Sequence, residues 1–298
     1  MSIRSAVLPA AICVVALAGC GDSAGGPETR ATPSPTTARS TAPAASGWNR
    51  GYPNSIAVLG HSGSTGANSD PTRPGRDVRE NSWATGINPE VRSVYGRILA
   101  HNPAIKGHNL SYSQGGAGIT MVAAQADRLL ATDPDTALIL IQVMDNDLTC
   151  PLDRSALGRF QQQLHDVLNR LAGTTSTTRL FVVSQIGSVR TYADALTRAE
   201  RAAQGGTGPC DFMTPSGDID AAKVRRLEHA IHAYEAALEV ACKRVPRCTY
   251  DQGDFGRIAD RHANLSDDLN HFNVAGHAEL AAVAWATLQR TGVLPREP

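Results

Sequence analysis

Short runs of aliphatic and β-branched residues, each followed by a longer stretch of helical periodicity, constrain this chain more than anything else in it. The runs fall at 55–59, around Leu110, at 137–143, at 180–184 and, weakly, at 248–250. Such runs, bounded by turn formers, read as strands buried on both faces. Between them lie helical patterns at 119–131, 153–171, 219–243 and 274–291. A further helix is expected to begin at Asn88-Pro89-Glu90, a capping residue with proline at the first helical position, and to stop before Pro103. This alternation predicts an α/β fold, a three-layer α/β/α sandwich around a mainly parallel sheet, with ligands beyond the carboxyl ends of the strands. No internal repeat is visible. The stretch 187–217, with Gly205-Gly206, Gly208-Pro209 and Pro215, reads as a long excursion from the alternation.

The N-terminus stands outside that pattern. Arg4 supplies a short positive region, residues 6–16 an apolar run too short to span a bilayer, and Leu17-Ala18-Gly19-Cys20 a processing site. The four-residue end resembles a bacterial lipobox, whose cysteine is acylated and becomes the mature N-terminus, so the resemblance implies a lipid anchor at Cys20. Residues 1–20 are therefore a signal peptide. Residues 21–48 are Gly, Ser, Thr, Pro and Ala with scarcely a large apolar side chain. Such a segment buries too little surface to offset its ordering entropy and reads as a flexible tether. The expected domain is 49–298, outside the cytoplasm and attached to the cell membrane, with a single copy as the simplest assembly.

Charge excludes one class of partner. Lys plus Arg and Asp plus Glu number 28 each in 298 residues, and the basic residues form no stripe interleaved with aromatics, so no nucleic acid is expected. Setting aside Cys13 in the signal and Cys20 leaves Cys150, Cys210, Cys242 and Cys248, an even set in an exported chain, and so two disulfides. Of three possible pairings, Cys150 with Cys210 and Cys242 with Cys248 is expected, because the second pair flanks a short turn containing Pro246. A zinc site is the competing reading, but no close C-x-x-C or H-x-x-x-H spacing supports it.

Four segments carry chemistry. Gly60-His61-Ser62-Gly63-Ser64-Thr65-Gly66 is a glycine-rich turn leaving the first strand, where a hydroxyl and a backbone amide can be presented together. Residues 109–118 run from a strand through Gly115 and Gly116 into a helix, exposing amides that can face an oxyanion. Met144-Asp145-Asn146-Asp147 follows the third strand, and the Asn146 amide can donate to the same charge. Asp268-Leu269-Asn270-His271 holds a carboxylate and an imidazole in one loop, the pair that activates a serine hydroxyl. Each of these is also an ordinary turn when taken alone.

In this order and placement the four segments, with Asp268-x-x-His271-x-Asn273-x-x-Gly276 as the most specific, resemble the SGNH (GDSL-type) hydrolase family across essentially the whole folded domain. The resemblance implies a flavodoxin-like sheet, with Ser62 as nucleophile, His271 as general base and then acid, and Asp268 orienting the imidazole. It implies an oxyanion hole of the Ser62 amide, the Gly116 amide, preferred slightly over Gly115, and the Asn146 side chain. Departures stand at His61, where the family usually has Asp, at Met144, where it usually has Gly, and at Phe272, where Pro is common. None removes a reacting group. His229 and His232 read as a solvated helix face, and His277 as part of the last helix.

The expectation is thus a lipid-anchored, exported carboxylic-ester hydrolase working through an acyl-serine intermediate, with no cofactor and no metal. Its substrate is a small ester or an acylated envelope component. An envelope polysaccharide O-deacetylase or acyltransferase would share the triad, and an inactive binding protein would share the fold. Loops 70–82 and 187–217 are polar and rich in Gly and Pro, which suggests an open groove more than a deep lipid tunnel.

Overall fold

Strands β3 (Ile56–Gly60), β5 (Leu138–Gln142) and β6 (Arg179–Val183) are almost continuously apolar and buried, as strands covered on both faces must be. They are seen in a computed structural model that describes residues 47–296. The expected signal peptide with Cys13, the expected anchor at Cys20 and residues 21–46 of the expected tether lie outside the described residues. With β4 (Asn109–Ser111) and β7 (Cys248–Tyr250) as edges, the sheet runs β4-β3-β5-β6-β7, every pair parallel. Counted within the sheet, that order is 2-1-3-4-5, the flavodoxin-like doubly wound arrangement, which puts the topological switch point at β3 and β5.

Side chains alternate across the strands and divide the core in two. Ala57, Leu59, Ile139, Ile141, Leu180 and Val182 face α3 (Ile119–Thr132), α4 (Arg154–Ala172) and α7 (Ala221–Lys243). Ile56, Val58, Leu138, Leu140, Phe181 and Val183 face α2 (Val94–His101) and α8 (Val274–Arg290). The result is the expected three layers. Among the described residues no helix is long and apolar enough to cross a membrane.

Helix boundaries follow capping side chains. Asp153, Asp220 and Asn273 accept first-turn amides of α4, α7 and α8. The helix expected from Asn88 begins only at Val94, capped by Ser93. Asn88 is already committed, since its Oδ1 accepts from the Glu90 amide and its Nδ2 donates to Asn81 at 2.7 Å. Arg92 then turns the chain through φ 48°, which no right-handed helix allows. Trp48, assigned by composition to the tether, pairs in the short antiparallel ribbon of β1 (Trp48–Asn49) and β2 (Tyr52–Pro53). Its indole donates to Thr177 O and its ring lies 4.3 Å from the Arg179 guanidinium, packing that a large aromatic favours.

The excursion carries two short helices, α5 (Val189–Ala195) and α6 (Arg198–Gln204), each opened by a capping box. Cys150 is joined to Cys210 and Cys242 to Cys248. The first bridge fastens the excursion to the loop after β5, four residues beyond Asn146.

Candidate active site

The turn that carries Ser62 is shaped by the crowding at the end of β3. Gly60 has φ 149°, and a Cβ there would meet Gln142 O at 2.3 Å, so only glycine fits beside β5. Its backbone is held from the other side by Gln125 of α3, whose Oε1 accepts from Gly60 N at 2.7 Å and whose Nε2 donates to Gly60 O at 2.9 Å. The chain then enters a single helical turn, α1 (Ser62–Thr65), with Ser62 half-buried at its start.

His61 caps that turn. Its Nδ1 accepts from the Gly63 amide at 3.1 Å, and its carbonyl accepts from the Ser64 amide at 3.0 Å, so the Ser62 amide stays outside both bonds. An accepting Nδ1 assigns the neutral ring's proton to Nε2. That nitrogen lies 3.1 Å from Asp145 Oδ2, though out of line for a hydrogen bond, and His61 is only 3 % exposed. The departure from Asp therefore keeps the cap and adds an electrostatic tie to the loop that holds Asn146.

Asn146 is tied in turn. Its Nδ2 donates to Ala117 O at 3.2 Å, and both carboxylate oxygens of Asp147 accept from the Ile119 amide at 3.0 Å. An amide nitrogen carries two protons, so one remains for an oxyanion. Met144, which stands where the resembled family has Gly, is fully buried at φ 126° and ψ −30°. A side chain in that region stores strain of order 1–3 kcal/mol, beside the residue that the turn presents.

On the other flank Asp268 and His271 form the expected pair. His271 Nδ1 lies 2.6 Å from Asp268 Oδ2, and the amides of Asn270 and His271 donate to Asp268 Oδ1 at 3.0 Å each. Asn68 Nδ2 donates to the same carboxylate. Burial pushes the Asp268 pKa up, but the bonds from the His271 side chain and the two amides outweigh it and hold the carboxyl below its ordinary range. An ionised Asp268 accepts the hydrogen bond from Nδ1–H, which leaves Nε2 unprotonated and free to act as a base. The loop itself is braced by Gln204 donating to Asp268 O and Tyr192 OH donating to Leu269 O, both at 2.8 Å.

Ser62, Asn146 and His271 line one cavity of about 390 Å³. Asp268 sits behind His271, as an orienting group must. Ser62 and His271 share the cavity without a direct hydrogen bond, a looseness usual before substrate binds. Gly115 and Gly116 do not line it, and both are exposed, with Gly116 at φ 73°. Of the two loops expected to shape the pocket, only one reaches this cavity. Loop 70–82 contributes nothing to this cavity, and 187–217 contributes Val189, Tyr192 and Phe212 along with Ser188. Average loop composition misleads here, because the polar residues of the excursion face water while its few apolar ones turn inward. Phe272, another departure, also lines the cavity. A Cβ on Gly276 would meet its ring at 2.4 Å, so that glycine gives the ring its space.

His277 lines the cavity too, 1 % exposed and with Nδ1 without a partner among the described residues. Burial, with a smaller contribution from His271, depresses its pKa from 6.5 to about 3. The unfolded chain therefore binds one more proton between those values, and the stability present above pH 6.5 is lost as pH falls toward 3. Between pH 7 and 4.5 this loss is roughly 2–3 kcal/mol, and His277→Leu is expected to remove that part of the slope. Urea midpoints of both proteins at the two pH values measure it, and equal slopes would refute the assignment.

Gln125, Asn68, Tyr192 and Gln204 were not foreseen as site residues. Gln125 had a signal, since it lies three residues after Val122 and four before Leu129 on the buried stripe of α3, where a polar side chain needs a partner. Asn68 had none, because its partner is 200 residues away.

No family model matches this sequence, and no curated protein does. Among solved structures the chain is similar to that of TesA, with TM-score 0.49 and 15% identity over 79% of this chain and 98% of that one. It is similar to the lipase Lip_vut3 from a goat rumen metagenome, with TM-score 0.48 and 13% identity over 78% and 96%. It is similar also to a mutant of the acetyl-xylooligosaccharide esterase Axe2 from Geobacillus stearothermophilus, with TM-score 0.47 and 16% identity over 81% and 97%.

Proposed function

We propose that this chain is a serine hydrolase of the SGNH type that cleaves carboxylic esters through an acyl-serine intermediate. The observation that carries the reading is the His271 Nδ1 to Asp268 contact of 2.6 Å, behind a cavity whose wall holds both Ser62 and Asn146. Ser62 Oγ attacks the ester carbonyl as His271 Nε2 takes its proton, and Asp268 stabilises the imidazolium. The Ser62 amide and the second Asn146 proton stabilise the oxyanion, while the expected third donor, the Gly116 amide, lies away from the cavity. Collapse expels the alcohol, which takes the proton from His271. Water, activated by the same imidazole, then attacks the acyl-serine and releases the acid.

In this reading the enzyme works outside the cytoplasm, held to the membrane by a lipid on Cys20. Leu17-Ala18-Gly19-Cys20 supports that placement, as do two disulfides, which persist in oxidising compartments.

A p-nitrophenyl alkylphosphonate tests the chemistry. One equivalent of nitrophenolate should be released, with the phosphonyl adduct found by mass spectrometry on the peptide containing Ser62. A stoichiometric adduct elsewhere, or none, would refute the reading.

A further inference from the structure

The cavity in front of Ser62 has two kinds of wall. Beside the triad it is polar, with His61, Asp145 and Asn146. Its apolar lining includes Val189, Tyr192, Phe212, Leu227, Ile231 and Phe272. We propose that these six residues form an acyl-binding arm, so that the preferred substrates are esters of acids longer than acetate. The inference rests on the ester-hydrolase reading and deepens it.

Three observations carry it. First, the wall has little left to offer a hydroxyl-rich ligand. The Tyr192 hydroxyl is spent on Leu269 O at 2.8 Å, so this residue contributes its ring. Asp260, at the margin, accepts from Thr191 at 2.7 Å, and Ser188 caps α5. Apart from His61 Nε2, which faces Asp145, Gln185 Oε1 and His277 Nδ1 are the buried lining atoms without a partner among the described residues. Two such atoms orient a ligand but do not recognise a polyol.

Second, the arm is an unfinished core. Val189, Phe212 and Leu265 are buried in an apolar cluster against which Tyr192, Leu227, Ile231 and Phe272 are only partly buried. These partly buried side chains also line the cavity, so an acyl chain lying there removes their apolar surface from water together with its own.

Third, the arm is held in place relative to the reacting atoms. Cys210, two residues before Phe212, is bonded to Cys150, four residues after Asn146. The bridge thus ties the chain beside Phe212 to the chain beside Asn146.

Burying a methylene is worth about a fourfold gain in kcat/KM when burial is complete, and roughly twofold when it is partial. The test is kcat/KM for p-nitrophenyl acetate, butyrate, hexanoate and octanoate with the full-length protein, beside Leu227→Trp, which fills the arm. Ile231→Phe, a smaller enlargement, is measured in parallel. In the wild type, butyrate should exceed acetate by about fourfold to sixteenfold, with a further rise at hexanoate. In Leu227→Trp the octanoate-to-acetate ratio should fall at least tenfold, and Ile231→Phe should lower it in the same direction. Acetate as the best wild-type substrate, or a ratio unmoved in both variants that still turn over, would overturn the arm while leaving the hydrolase standing. No turnover of any ester by the wild type would overturn the hydrolase reading itself, and the arm with it.

Discussion

Ser62→Ala is expected to lower kcat for p-nitrophenyl butyrate by about 10⁶, leaving roughly 10³–10⁴ over the uncatalysed rate from the oxyanion donors and binding alone. The variant keeps what shapes the turn. The His61 cap reaches the Gly63 amide, Thr65 Oγ1 bonds the Ser62 carbonyl, and Gln125 holds Gly60. None of these uses the Ser62 hydroxyl. The urea midpoint should therefore stay near that of the wild type while activity disappears. Ser62→Ala combined with His271→Ala should be no slower than Ser62→Ala alone, because the two side chains act as one unit. A residual rate within tenfold of wild type would mean that the nucleophile lies elsewhere.

Asp268→Asn should reduce kcat by about 10⁴ with the fold intact. The carboxylate accepts from four N–H groups, those of the His271 ring, the Asn68 side chain and the amides of Asn270 and His271. An asparagine oxygen can keep the two amides. Its NH₂ would then confront donors at both His271 Nδ1 and Asn68. The imidazole escapes that clash by moving its proton to Nε2, the tautomer that cannot take the serine proton. KM should change much less than kcat, since Asp268 does not line the cavity. Steady-state rates together with nitrogen chemical shifts of the His271 ring check both halves. A variant with normal tautomer and a rate within tenfold of wild type would deny Asp268 its orienting role.

His61 shows how a departure in sequence can keep a contact in structure. Read along the chain, an imidazole in place of a carboxylate beside Ser62 looks disruptive. In the fold its Nδ1 supplies the acceptor that caps the turn, and its Nε2 meets Asp145 across the switch point. Met144 is the opposite case. Its side chain fills the core, but the backbone keeps the positive φ that glycine would accept without strain. The identity of a residue shows what it can offer; whether a partner faces it is a property of the fold.

The strands, the four helices α3, α4, α7 and α8, and the loop pair Asp268 and His271 were legible because they depend on short-range pattern, whereas α5 and α6 inside the excursion were not. Burial on both faces makes a strand apolar throughout, a helix repeats its apolar stripe every three or four residues, and a carboxylate three residues before a histidine meets it across one turn. The start of α2 was not legible, because Asn88 spends its side chain on Asn81 rather than on a helix cap. Nor was the part of the cavity wall made by Val189, Tyr192 and Phe212, which are diluted in sequence by the polar residues of a long loop.

The sequence by itself determined the layered α/β fold and the residue types that could perform acyl transfer, since periodicity and side-chain chemistry are local properties. Only the tertiary structure decided which of them share a cavity, that Gln125 and Asn68 brace the site, and that the excursion turns Val189, Tyr192 and Phe212 toward it. These depend on contacts between residues tens to hundreds of positions apart, and the free energy of such contacts is set by packing that no local pattern encodes.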